Sequence, residues 1–211
     1  MMKPRIKICG LTREEDVQAA VEAGADAIGL VFYPPSPRYV SVQTAAELTR
    51  AAPPFVTIVG LFVNADPKQV NETLANVPIH LLQFHGDEDE SYCRQFARPY
   101  MKAARVKPGL DLVQYAAGFP SAQAILLDAY AEGYGGSGQV FDWTLIPPAL
   151  DKPIILSGGL DAGNVSEAIG RVRPAAVDVS SGVEASKGIK DAEKIRAFVA
   201  AVRAAGLMPT D

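Results

Sequence analysis

Short runs of β-branched and apolar residues alternate with amphipathic stretches along the whole chain, and this alternation leaves few folds open. Strand-like runs cover residues 5–9, 27–32, 56–63, 79–84, 100–105, 124–128, 153–157 and 175–179. Helical periodicity falls between them at 13–23, 42–51, 67–76, 89–96, 112–116, 162–171 and 191–204, with a weaker stretch at 141–146. Strand starts recur about every 24 residues, the length that a short strand, a three-turn helix and two tight loops require. Strands that alternate with helices pair in parallel, because each crossover returns over the sheet face. Eight such units close a barrel, so the expected fold is α/β, a (β/α)₈ (TIM) barrel in a single domain over residues 1–211. The competing open, doubly wound sheet calls for a glycine-rich phosphate turn after the first strand. "KICGLT" lacks the GxGxxG pattern of that turn.

Composition narrows the function classes. Twenty Lys and Arg against 24 Asp and Glu give a net charge of −4, with no basic run to track a phosphate backbone. Nucleic acid is therefore not an expected partner. The longest apolar stretch, 55–63, is about half what a membrane-spanning helix needs, and the first ten residues do not read as a signal peptide. These features predict a cytoplasmic protein that does not contact a membrane. Two cysteines and two histidines are too few for a disulfide framework and limit any metal site. Monomer is the favoured state, although nothing in the sequence fixes it.

In a barrel of this kind the chemistry comes from the C-terminal ends of the strands and the loops that follow. Those positions here hold Cys9, Arg38, Asn64, His85, Asp128, Gly158, Gly159, Asp178, Ser180, Ser181 and Gly182. Cys9 ends the first strand, and Thr12-Arg13-Glu14-Glu15 after it reads as a capping box opening a helix. A thiol near a helix N-terminus is expected to have a lowered pKa, and Lys7, two residues back on the same strand face, adds to that if the face is interior. Cys9 is otherwise a small buried apolar group. Asp128, at the tip of "AILLDA", is either a general acid across the mouth from Cys9 or a cap on loop amides. Asp178 lies in an apolar strand, where an acid needs a site or a partner, such as Lys7. Arg38, on the proline-stiffened loop "YPPSPRYV", either grips a carboxylate or lies on the surface. His85 reads as an ordinary loop group beside the acids that begin the next helix, and Cys93 reads as packing.

Two glycine-rich turns, "LSGGLDAGNV" and "VDVSSGVEASKG", follow the seventh and eighth strands, where barrels often bind a phosphate on backbone amides. A third, "YGGSGQVFDW", after strand six, is a candidate covering loop.

Taken in order, "KICGLT", "VFYPPSPRYV", "VGLFVN", "LLQFHG", "LLDA", "GGSGQVFDW", "LSGGL" and "VDVSSGVE…KGIKD" resemble the phosphoribosylanthranilate isomerase family over essentially the whole chain. Phe84 stands where the family often has Leu, and Ser137 where Thr is common. The resemblance implies the Amadori rearrangement of N-(5'-phosphoribosyl)anthranilate to 1-(2-carboxyphenylamino)-1-deoxyribulose 5-phosphate in tryptophan biosynthesis. It implies Asp128 as general acid, Cys9 as general base and Arg38 as holder of the anthranilate carboxylate. Asp178 would orient the substrate's nitrogen or hydroxyls, and Gly158, Gly159, Ser180, Ser181 and Gly182 would surround the phosphate. Lys7 and His85 would support them, with no metal or organic cofactor. Two alternatives are weighed. The related aldose–ketose isomerase of histidine biosynthesis uses an Asp base and needs a second phosphate turn, and neither is visible here. An inactive sugar-phosphate-binding barrel would have no use for an acid–base pair.

Overall fold

The computed structural model of the chain describes residues 3–130, 140–148 and 150–205. Eight parallel strands close into a barrel in sequence order: β1 (Arg5–Cys9), β2 (Ala27–Val31), β3 (Thr57–Phe62), β4 (Leu81–Phe84), β5 (Tyr100–Val106), β6 (Ala124–Ala129), β7 (Ile154–Leu156) and β8 (Ala176–Val179). β8 pairs back onto β1, so no edge is left among the eight. Around them run α1 (Glu14–Ala23), α2 (Val42–Leu48), α3 (Pro67–Asn76), α4 (Glu90–Arg94), α5 (Leu112–Ala117), α6 (Val165–Val172) and α7 (Ala192–Ala205). The expected (β/α)₈ architecture is thus what the chain forms.

Strand periodicity sorts the two cores. Ile6 and Ile8, Ile28 and Leu30, Leu82 and Phe84, Ile125 and Leu127 face outward into the layer packed against the helices. The alternate residues face inward, where Val59, Met101, Ala103, Ala124 and Leu126 fill the barrel. Further up, Cys9, Val31, Leu61 and Val63 form a third apolar group. The same alternation turns Lys7, Gln83, Asp128 and Asp178 inward, because each sits two residues from another inward position.

Several local expectations are corrected. Thr12 does not cap α1. Its hydroxyl donates to the Gly188 carbonyl (2.6 Å), and Arg13 occupies the cap position without capping a backbone amide, its guanidinium gripping the Asp16 carboxylate instead (2.6 and 3.0 Å). The pull of the chain after β8 therefore wins over the local capping pattern. α2 tightens into a 3₁₀ turn at Thr49–Ala51, α4 is shorter than the periodicity suggests, and α6 starts three residues late, at Val165. There Asp161 and Asn164 close a turn, with Asp161 accepting from the amides of Gly163 and Asn164. The weak helical stretch at 141–146 is a single 3₁₀ turn, Trp143–Leu145, followed by two prolines. A small hairpin, β9 (Glu184–Ser186) with β10 (Ile189–Lys190), was not expected. Residues 134–139 of the third glycine-rich loop lie outside the described residues. Among the described residues no helix is long and apolar enough to cross a membrane.

Candidate active site

A cavity of about 700 Å³, counting the space open to solvent, sits at the C-terminal mouth of the barrel. That volume suits a small-molecule ligand. Nine of the residues predicted for the mouth line it: Cys9, Arg38, His85, Asp128, Gly158, Gly159, Asp178, Ser180 and Ser181. Val31, Tyr33, Leu61 and Val63 make one wall apolar, and the remaining strands make the other polar. Gly182 stands behind the turn. A Cβ on it would come 1.9 Å from the Leu160 carbonyl oxygen, so the turns after β7 and β8 touch only because residue 182 is glycine. Gly158 and Gly159 adopt positive φ (83° and 63°), the left-handed region, and curl their turn toward the mouth.

The polar wall begins with register. Lys7 and Asp178 are direct partners across β1 and β8, and their side chains meet in a buried ion pair at 2.8 Å. The other Asp178 oxygen accepts from the Ser157 hydroxyl (3.2 Å). Burial opposes the charge on Lys7, but the Asp178 carboxylate and the neighbouring sulfur prevail and hold its pKa above the ordinary range. Cys9 runs opposite to expectation. Burial pushes its thiol upward, and the Asp178 carboxylate adds to this, while Lys7 and Lys190 pull it down without prevailing. The helix after Cys9 does not compensate, because α1 begins only at Glu14. Gly29, the register partner of Cys9, makes room for both groups: a Cβ there would lie 2.7 Å from the Cys9 sulfur and 3.1 Å from Lys7 Cε.

Across the mouth, Asp128 Oδ2 lies 3.1 Å from His85 Nε2, and His85 Nδ1 lies 2.9 Å from Gln83 Nε2. His85 is therefore bound to the carboxylate rather than to its own loop, whose acids do begin α4 through the Asp89 cap. Asp128 Oδ1 also accepts from the Ala129 amide (2.9 Å).

Arg38 is buried rather than a surface group, and it is held. Its Nε and a terminal nitrogen grip the two oxygens of Glu184 at 2.7 and 2.9 Å. Lys190 joins Glu184 (2.9 Å) and also donates to the Ser180 carbonyl (3.0 Å). Burial works against the Glu184 charge, yet Arg38 and Lys190 bring its pKa below the ordinary carboxylate value. For Lys190, burial lowers the pKa and the Arg38 charge adds to this, while Glu184 and Cys9 raise it without prevailing.

Sequence reasoning missed Gln83, Ser157, Glu184 and Lys190. Gln83 carried a readable signal, a lone amide in the apolar strand "LLQF". Glu184 and Lys190 lie inside the motif "VDVSSGVE…KGIKD" but carried no periodic signal, since their hairpin is too short to show one. Cys93 is buried packing, as expected.

Catalytic-type side chains from separate strands, converging on one mouth above a filled barrel, define a (β/α)₈-barrel enzyme. The family model described as N-(5'phosphoribosyl)anthranilate (PRA) isomerase matches residues 6–201. The chain is 70% identical over 204 residues to the N-(5'-phosphoribosyl)anthranilate isomerase of Dechloromonas aromatica, covering 97% of this chain and 98% of the relative. It superimposes on the phosphoribosyl anthranilate isomerase of Thermotoga maritima with a TM-score of 0.88 at 43% identity, covering 95% and 99% of the two chains. A further isomerase structure, in complex with reduced 1-(o-carboxyphenylamino)-1-deoxyribulose 5-phosphate, matches at TM-score 0.85 and 41% identity, with the same coverage. The chain belongs to the N-(5'-phosphoribosyl)anthranilate isomerase family.

Proposed function

We propose that the chain isomerises N-(5'-phosphoribosyl)anthranilate to 1-(2-carboxyphenylamino)-1-deoxyribulose 5-phosphate, with Asp128 as general acid and Cys9 as general base. One observation carries this reading: Cys9 on β1 and Asp128 on β6 line the same cavity from strands three apart in the ring. An aldose-to-ketose conversion needs an acid and a base on different sides of the sugar, and each such group typically gives about 10²–10⁴-fold. Asp128 protonates the furanose ring oxygen, and the ring opens to a Schiff base. The positive iminium acidifies the proton on the adjacent carbon, so a modest base removes it. The enolamine that results tautomerises to the ketone.

The thiol's raised pKa fits this order of events. Before substrate binds, burial and the Asp178 carboxylate favour the protonated thiol. A substrate that hydrogen-bonds to Asp178 offsets that carboxylate's charge, so Lys7 acts on the sulfur less opposed and favours the thiolate. The apolar wall of Val31, Leu61 and Val63 suits the aromatic ring, Arg38 takes its carboxylate through donors that Glu184 leaves open, and the phosphate rests on the turns 158–159 and 180–182. With a net charge of −4, attraction for such an anion has to be local. Assaying the purified chain with this substrate and with the two-phosphate substrate of the related histidine-pathway isomerase tests the reading. Turnover of the first alone supports it, and turnover of the second alone overturns it.

A further inference from the structure

One buried polar atom at the mouth has no partner. Gln83 is 1% exposed, its Nε2 bonds to His85 Nδ1, and its Oε1 bonds to nothing among the described residues. The surroundings therefore do not choose between the two orientations of this amide. A half-turn swaps nitrogen for oxygen against His85, and in either state one amide atom is left unpaired. What selects the orientation is the proton on the ring. An Nδ1 without hydrogen calls for the amide nitrogen, and an Nδ1–H calls for the amide oxygen. The opposite ring nitrogen faces Asp128, so the two choices carry opposite consequences for the carboxyl group. With Nε2–H and a bare Nδ1, His85 donates to Asp128, the form that matches Gln83 Nε2 facing Nδ1. With Nδ1–H held by the Gln83 oxygen, Nε2 can accept the proton of a neutral Asp128.

We propose that Gln83 is a positioning residue that, by turning its amide, holds His85 in the form that keeps Asp128 loaded with the proton it donates. This rests on the reading of Asp128 as the general acid. Loading takes one proton from water. An N–H bond forms at Nδ1 as the amide turns and Oε1 accepts it. The Nε2–H bond then breaks as Oδ2–H forms on Asp128, and that proton passes to the ring oxygen. The bare Nε2 takes the next proton from water, and the enol hydroxyl returns one to water as the ketone forms, so a turnover consumes no net proton and no electrons move. A third group that fixes the tautomer of a histidine is a well-founded device in acid–base sites. The charged groups packed nearby are each engaged elsewhere. Arg105, the register partner of Asp128, donates to Asp87, and Lys102 bonds to Glu88 and the Gly86 carbonyl. Lys7 pairs with Asp178, and Arg38 and Lys190 with Glu184.

The chain has two histidines, which makes the ring ¹⁵N spectrum a direct readout. His80 Nδ1 accepts from the Ile58 amide (3.0 Å) and serves as a reference for the Nε2–H form. In the wild-type protein a His85 Nδ1–H signal is expected wherever the enzyme is fully active, and its loss should coincide with the basic limb of the kcat/KM profile. Gln83→Met keeps the volume but removes both amide atoms. It is expected to lower kcat about tenfold or more with KM within twofold, and to move the basic limb to lower pH. Gln83→Glu, which can only accept, should hold Nδ1–H to higher pH. A purely structural role would lower the melting temperature and leave the limb in place. If Asp128→Asn is inactive while Gln83→Met keeps both kcat and limb, this inference fails alone. Should Asp128→Asn turn over normally, the acid assignment fails and takes this inference with it. If Gln83→Met does not fold, the wild-type spectrum decides: a His85 Nδ1 that stays unprotonated through the basic limb overturns the proposal.

Discussion

Replacing Glu184 by Gln removes the one carboxylate that two buried cations share while keeping its shape. The Arg38 and Lys190 side chains are 10% and 0% exposed, so neither can turn to water for compensation. Removing one partner of a buried, hydrogen-bonded ion pair costs about 3–5 kcal/mol, because the remaining charge stays desolvated. Here two like charges remain, but the amide oxygen still accepts one hydrogen bond, which places Gln near the lower figure and Ala near the upper. For a chain of this size each kcal/mol moves the melting temperature about 2–4 °C, so Glu184→Gln should melt roughly 6–12 °C lower by scanning calorimetry. The pH dependence follows from the sign of the shift. The folded-state pKa of Glu184 lies below the ordinary 4.5, so its contribution is complete above that value. It is lost as pH falls through the lower folded value, where the unfolded chain has already taken up the proton. The gap between wild type and variant should therefore be constant near neutrality and close progressively below about pH 4.5. The variant should also show a raised KM, since Arg38 is no longer held. A melting temperature within about 2 °C of wild type, or a gap that stays flat into acid, would refute the buried-charge reasoning.

Three further outcomes follow from single positions. Gly29→Ala places a methyl group 2.7 Å from the Cys9 sulfur, so it should reduce kcat by about 10² or more in steady-state assays while circular dichroism stays native. Gly182→Ala forces the β7 and β8 turns apart, because its Cβ would meet the Leu160 carbonyl. Inorganic phosphate should then inhibit at least about tenfold less well, with a stability loss of about 1–3 kcal/mol. Alkylation of the free enzyme by iodoacetamide should be slow at pH 7 and still rise past pH 9, since burial lifts both thiols, Cys9 above 9.0 and Cys93 to about 12. Lys7→Met should slow it further at Cys9, by removing the charge that opposes that lift.

Most of the barrel was legible because its period is written twice, once as strand–helix alternation and again as inward and outward residues within each strand. The same two-residue period turns Lys7, Cys9, Asp128 and Asp178 inward, the last three into the mouth and Lys7 just beneath it, so these strand-borne positions could be read from spacing alone. What spacing could not supply was partnership. Arg38 and Glu184 are 146 residues apart and meet only because the barrel closes, and the hairpin carrying Glu184 is too short to announce itself. His85 looked like a loop residue because its acidic neighbours genuinely begin α4. That it also reaches Asp128, 43 residues on, depends on the inward turn of β4. The thiol's pKa was misjudged for a related reason. Helix proximity and Lys7 are visible in the sequence, whereas burial and the opposing Asp178 carboxylate appear only once the strands are assembled.

The central claim is that one thiol and one carboxyl group divide the proton transfers. Steady-state turnover of N-(5'-phosphoribosyl)anthranilate by purified Cys9→Ala and Asp128→Asn tests it most directly. Each variant should lose at least about 10² in kcat with KM within a few-fold of wild type. Near-wild-type turnover by either one would remove that residue from the chemistry and contradict the account.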